Sequence, residues 1–262
     1  MDTDGQLSER DRSSALDEGC EQRSRSVRIP GKERLLRLPR RGRRALLLAG
    51  VCVTVLMLFS SYVVQPFLIP SGSMEPTTRA GDRVLVNKLA YRFGDGPRRG
   101  DVVVFDGTGS FVRGGPTGNP VTGLLRKGAA AVGLAEPDET DYIKRVTGVG
   151  GDRVTCCDER GRITVNGEAV DEHYLHPGDA PSQVPFDIVV PEGRLWVMGD
   201  HRSDSRDSRD HLGEPGGGMV PVDRVIGRAD WIGWPLGRLT TLDRPAGFDH
   251  VPTASAQGRW HG

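Results

Sequence analysis

The chain has 262 residues, and its 35 basic side chains are matched by 35 acidic ones. That length holds one sizeable domain with extensions, or two small domains. The even charge argues against a protein that coats nucleic acid, and the cysteines offer neither a disulfide framework nor a C-x-x-C pair for zinc.

The charges are unevenly placed. Residues 1–41 are rich in Ser, Arg, Asp and Glu without apolar periodicity, and read as a disordered basic tail. From Arg28 to Arg44 stand eight Arg or Lys and one acid, Glu33. This run has no aromatics and abuts an apolar segment, so it fits a membrane flank better than a nucleic-acid patch. Ala45 to Val64 carries no charge over twenty residues, the length a helix needs to cross a bilayer. Residues 42–64 are therefore expected to be an uncleaved transmembrane anchor. Too many residues precede it for a cleavable signal peptide, and it is too apolar on every face for a core helix. The basic flank places the N-terminus in the cytoplasm and the rest of the chain outside it.

Directly after the anchor comes "FLIPSGSMEPT", Phe67 to Thr77. Pro70 and Pro76 fix φ while Gly72 relaxes it, an order that can hold a serine hydroxyl in place. Val-rich strands bounded by Gly, Asp and Pro are expected at Asp82–Tyr91 and Asp101–Gly107. Further strands are expected at Tyr142–Val149, Arg153–Thr155, Arg162–Val165, Arg194–Met198 and Arg224–Ala229. Between them, about 107–141 reads as a Gly/Pro-rich insertion with one short helix. "WIGWPLGRLTTL" from Trp231 is too short and broken for a second span. The predicted class is mainly β, antiparallel, over 65–242, with a tail from 243 to 262. "RGD" at Arg99–Asp101 is read as a turn into a strand rather than an adhesion motif. Cys156 and Cys157, being adjacent, are read as small, partly buried thiols.

A serine nucleophile needs a base. His201 and His211 lie in "GDHRSDSRDSRDH" among Asp200, Asp204, Asp207 and Asp210. That run could be half a triad or a metal cluster, but its arginines offset its acids and the spacing is not that of a known ligand set. Lys144 in "DYIKRVTGVGGDRV" is the other candidate. Burial would have to depress its pKa before it could act, and on this stretch alone an exposed strand lysine is the plainer reading.

Five motifs in order then converge. "IPSGSMEPT" at 69–77, "GDRVLVNK" at 81–88, "RGDVVVF" at 99–105, "YIKRVTGVGGD" at 142–152 and "GDHRSDSRDSR" at 199–209 resemble the boxes of the type I signal peptidases. The resemblance implies Ser73 as nucleophile and Lys144 as general base of a Ser-Lys dyad. It implies Ser71 as an oxyanion-hole hydroxyl and Ser205 as the serine that orients the lysine. Asp207 and Arg209 match a bracing ion pair, and Asp200 and Arg202 the start of the same box. Glu75 stands where many members have an apolar residue, and His201 replaces a frequent asparagine. The resemblance further implies cleavage of signal peptides after small-x-small sites, on the outer face of the cytoplasmic membrane, with neither metal nor organic cofactor. Expected partners are secretory preproteins, the lipid bilayer and the export translocon, and no nucleic acid. A self-cleaving repressor would need a DNA-binding domain where this chain has a tail and a span. An inactive peptide-binding module would be favoured by loss of Ser73 or Lys144, and both are present.

Overall fold

A computed structural model of the chain describes residues 40–94, 96–112, 140–214 and 216–253. Residues 1–39 of the expected tail and the short helix expected inside the insertion lie outside this set. The chain divides near Leu48 and Ala49 into two units. Of the first, the described part is the beginning of helix α1, Arg40–Tyr62. The stretch Arg41–Phe59 is long and apolar enough to cross a membrane. Leu47, Val51, Val55 and Phe59 stand exposed along it, which suits lipid and not an aqueous surface. The helix stops two residues before the expected end of the span. From Val63 the backbone pairs with the second unit's chain instead, Val63 O accepting from the Lys88 N–H and Val64 standing opposite Asn87.

The second unit is built of antiparallel strands. In chain order they are β1 (Val64–Leu68), β2 (Arg83–Asn87), β3 (Val102–Asp106), β4 (Asp141–Val149), β5 (Arg153–Cys156) and β6 (Ile163–Val165). Then follow β7 (Glu168–Ala169), β8 (Phe186–Val189), β9 (Arg194–Met198), β10 (Val220–Pro221), β11 (Val225–Trp234) and β12 (Thr240–Thr241). The larger sheet runs β1-β2-β11-β3-β4-β9-β10, with β12 on β11, and the smaller runs β7-β6-β5-β8. The mainly β, antiparallel class expected from the sequence is the one observed. β1, β8 and the two-residue strands β7, β10 and β12 were not expected. The two-residue strands show too little alternation to read, and β1 falls where the span was expected to end and the serine-bearing turn to begin. β11 passes register shifts at Ala229/Trp231 and Ile232/Trp234, so the "WIGW" stretch is strand rather than loop.

Two further readings need correction. Cys156 and Cys157 are joined in a disulfide across a cis peptide bond. The sequence reading has them as small, partly buried thiols. Residues 243–253 do not trail away. Phe248 and Val251 enter the core cluster of Val154, Ile163 and Trp196, and Arg99 donates to the carbonyls of Val251 and Pro252. Arg99 also pairs with the buried Asp152, while Asp101 accepts from the Tyr91 hydroxyl and the Arg98 N–H. Two residues of the RGD triplet are thus engaged inside the protein.

Candidate active site

β4 lies inside the larger sheet, between β3 and β9, and its residues 143–148 are all buried. Such a strand is covered on both faces, so the adjacent cations Lys144 and Arg145 are both taken from water, at 3% and 2% exposure. Each needs partners, and the sheet register supplies them. Val103 pairs with Lys144 on one side and Met198 with Arg145 on the other. The chain leaving β9 at Met198 therefore passes directly beside these cations.

The turn after β1 supplies the first partner. Ile69 exchanges backbone hydrogen bonds with Asp82 and Gly81, so the turn closes on itself between β1 and β2. Met74, with no exposed surface, anchors it in the cluster of Val84, Val102 and Ile143. Glu75 N–H donates to Gly72 O at 2.9 Å and Thr78 N–H to Met74 O at 3.0 Å. Ser73 is thereby held with its own carbonyl accepting from the His201 N–H at 3.1 Å. Its Oγ lies 2.7 Å from Lys144 Nζ, though 71 residues separate the two in sequence. Burial pulls the lysine from its ordinary 10.5 down to about 8, against the Asp207 and Asp200 carboxylates, which favour the charged form. Ser71 Oγ stands 3.4 Å from Ser73 Oγ, beyond the span of about 2.5–3.0 Å of an ordinary O–H···O bond. Ser71 is an exposed residue, and so long a contact leaves its hydroxyl able to turn towards another acceptor.

The loop after β9 closes the other side. Gly199 N–H and the Ser205 hydroxyl both donate to Asp207 Oδ2, at 3.0 and 2.9 Å. Arg209 grips the same carboxylate through Nε and Nη2, each at 2.8 Å. Burial raises the Asp207 pKa, but the Arg209 hydrogen bond and charge outweigh it and hold the carboxylate below its usual range. Because the Ser205 proton is committed to Asp207, Ser205 can meet Lys144 only as an acceptor. At Gly199 a Cβ would collide with the Ser205 side chain and the Ser73 carbonyl, so glycine is required for the two loops to meet.

A family model described as signal peptidase, peptidase S26, matches residues 42–234. The chain belongs to that family. A probable signal peptidase I of Mycobacterium leprae is 38% identical over 221 residues, covering 73% of this chain and 76% of the relative. A signal peptidase I of Mycobacterium tuberculosis is 41% identical over 213 residues, covering 73% and 72%. A probable signal peptidase I-2 of Synechocystis is 34% identical over 182 residues, covering 70% and 68%.

For this S26 chain the structure brings Ser71, Ser73 and Lys144 together, with Ser205, Asp207 and Arg209 beside them. It separates Asp200 from Arg202. Asp200 takes Arg145 in a bidentate pair, Nε to Oδ1 at 2.8 Å and Nη2 to Oδ2 at 2.6 Å, and accepts the Thr77 hydroxyl at 2.5 Å. Arg202 instead pairs with Glu172, Nη2 to Oε1 at 2.5 Å, and donates to Gly199 O and Pro181 O. The sequence reading missed Thr77, Arg145 and Glu172. Arg145 also lies over the Tyr174 ring, 4.2 Å from its centroid. A signal for Arg145 was available, since the residue beside a buried lysine on a strand covered on both faces is buried as well.

Proposed function

We propose that this chain is a membrane-bound serine endopeptidase of the signal peptidase I class, with Ser73 as nucleophile and Lys144 as general base. The observation that carries the reading is the 2.7 Å approach of Lys144 Nζ to Ser73 Oγ inside a site that pulls the lysine to about 8. A free lysine is neutral in about one molecule in 3,000 at pH 7; at a pKa of 8 the share rises to about one in ten. Charged, Nζ donates to Oγ. Neutral, its lone pair can accept the hydroxyl proton as Oγ attacks the scissile carbonyl.

The Ser73 proton then passes from the lysinium to the leaving amine, which departs as the new N-terminus of the mature protein. Lys144, neutral again, takes a proton from water as that water attacks the acyl-Ser73 ester, and returns it to Oγ on release of the signal peptide. The Ser71 hydroxyl and the Ser73 N–H would face the oxyanion formed in both steps. Asp207, gripped by Arg209, holds Ser205 and Gly199, and so fixes the wall against which Lys144 is set. Asp200 and Arg145 tie Thr77 to β4 and keep the nucleophile's turn from drifting. The anchor α1 would confine the enzyme to the bilayer that also holds its substrate's apolar segment, raising their effective concentration. With the basic flank cytoplasmic, the peptidase unit faces outward and meets preproteins as they emerge.

The test is cleavage of a purified preprotein by the full chain in detergent, followed by sequencing of the new N-terminus. Cleavage should follow an Ala-x-Ala site, and a bulky residue next to the cut should block it at that bond. Equal processing of both substrates would contradict the specificity.

A further inference from the structure

Close to the nucleophile in the chain and through the His201 N–H on the Ser73 carbonyl, Glu75, His176 and His201 converge. One donor atom from each lies within 4.8 Å of the others. They come from three segments: the turn that holds Ser73, the loop after β7, and the loop after β9. The two imidazoles stack with centroids 3.9 Å apart and planes 14° from parallel. His201 Nδ1 is buried and has no hydrogen-bond partner among the described residues, a costly state for a ring nitrogen unless something else meets it. Room for the carboxylate comes from Gly72, where a Cβ would come within 3.3 Å of Glu75 Oε1.

We propose that Glu75, His176 and His201 form a site for one transition-metal ion of the zinc class, distinct from the Ser-Lys chemistry. Two imidazoles and one carboxylate are donors that suit zinc and disfavour magnesium or calcium, which take oxygen ligands. Tetrahedral zinc at about 2.0–2.1 Å from each ligand holds its donors about 3.3 Å apart, so closure from 4.8 Å requires the two rings to turn out of their stack until the ion lies in the plane of each. The fourth position is left to water. The ion would cross-link the three segments next to Ser73, whose carbonyl already accepts the His201 N–H. Its binding should therefore stiffen the turn that positions the nucleophile.

The experiment uses the full chain, without a histidine tag, in detergent and stripped with chelator. Zinc titrated against a chromophoric competitor should bind at one equivalent per chain and raise the melting temperature, while magnesium at the same concentration does neither. His201→Asn and His176→Ala should each weaken zinc at least as much as the 10–100-fold lost when residues merely supporting a metal's ligands are removed. A cooperative metal-free melt shows that each variant is folded before its zinc affinity is compared with wild type. X-ray absorption on the wild-type zinc complex needs no variant to fold, and should give nitrogen and oxygen neighbours at about 2.0–2.1 Å, two imidazoles and no sulfur. Absence of zinc binding, a sulfur shell, or undiminished affinity in folded His201→Asn and His176→Ala would each overturn the proposal.

Discussion

Replacing Lys144 by Met should make the protein inactive and, at neutral pH, more stable. The lysine is 3% exposed, and burial lowers its pKa from 10.5 to about 8. Below pH 8 both the folded and unfolded chains carry the proton, so the folded state bears the full cost of a buried ammonium, on the order of 3 kcal/mol. Methionine keeps the length and apolar volume and removes that cost, while losing one hydrogen bond worth about 1–1.5 kcal/mol. The net gain is about 2 kcal/mol, or roughly 4–8 °C in melting temperature for a chain of this size. Between pH 8 and 10.5 the unfolded chain holds a proton that the folded one has released, so wild-type stability rises with pH. At pH 9.5 the remaining cost is about 1.4 kcal/mol, and the advantage of Lys144→Met should be nearly gone. Thermal melting of both proteins in the same detergent at pH 7 and pH 9.5 measures this. A variant less stable than wild type at pH 7, or an advantage that does not shrink with pH, would refute the reasoning.

Two further outcomes follow from the loops around Ser73. Ser71→Ala should lower kcat by roughly 10²–10³ with little change in KM, the usual loss of one oxyanion donor, and steady-state kinetics on a preprotein would show it. Gly199→Ala places a methyl group against Ser205 and the Ser73 carbonyl. It should cost about 1–3 kcal/mol of stability and reduce kcat, both read from melting and cleavage of the same preparation.

Much of the architecture is legible in the sequence because it is local. β2 and β3 are Val-rich enough to declare themselves as strands, and the twenty uncharged residues Ala45–Val64 announce α1. The turn shows by its two prolines and glycine that it can hold a serine hydroxyl, but only the resemblance singles out Ser73 over Ser71. Lys144 is not legible alone. A lysine between Ile143 and Arg145 looks like an ordinary strand residue until its register against Val103 and its approach to Ser73 are known, and that approach spans 71 residues. The same limit hid the partners of Arg145 and Arg202. In "GDHRSDSRDSRDH" the arginines and acids look mutually neutralising, yet Asp200 and Arg202 find partners on β4 and at Glu172 instead. His176 drew no notice because its nearest chemistry, Glu75 and His201, lies on two other loops.

The central claim is that a neutral Lys144 serves as the base for Ser73, and its most direct test is the pH profile of kcat/KM for wild type beside folded Lys144→Arg. Wild-type kcat/KM should rise along a limb centred near pH 8, the value to which burial brings Lys144. Lys144→Arg keeps the positive charge but stays protonated at every usable pH, so it should be as inactive as Ser73→Ala throughout. Substantial cleavage by the folded arginine variant, or a wild-type limb that persists in it, would contradict the account.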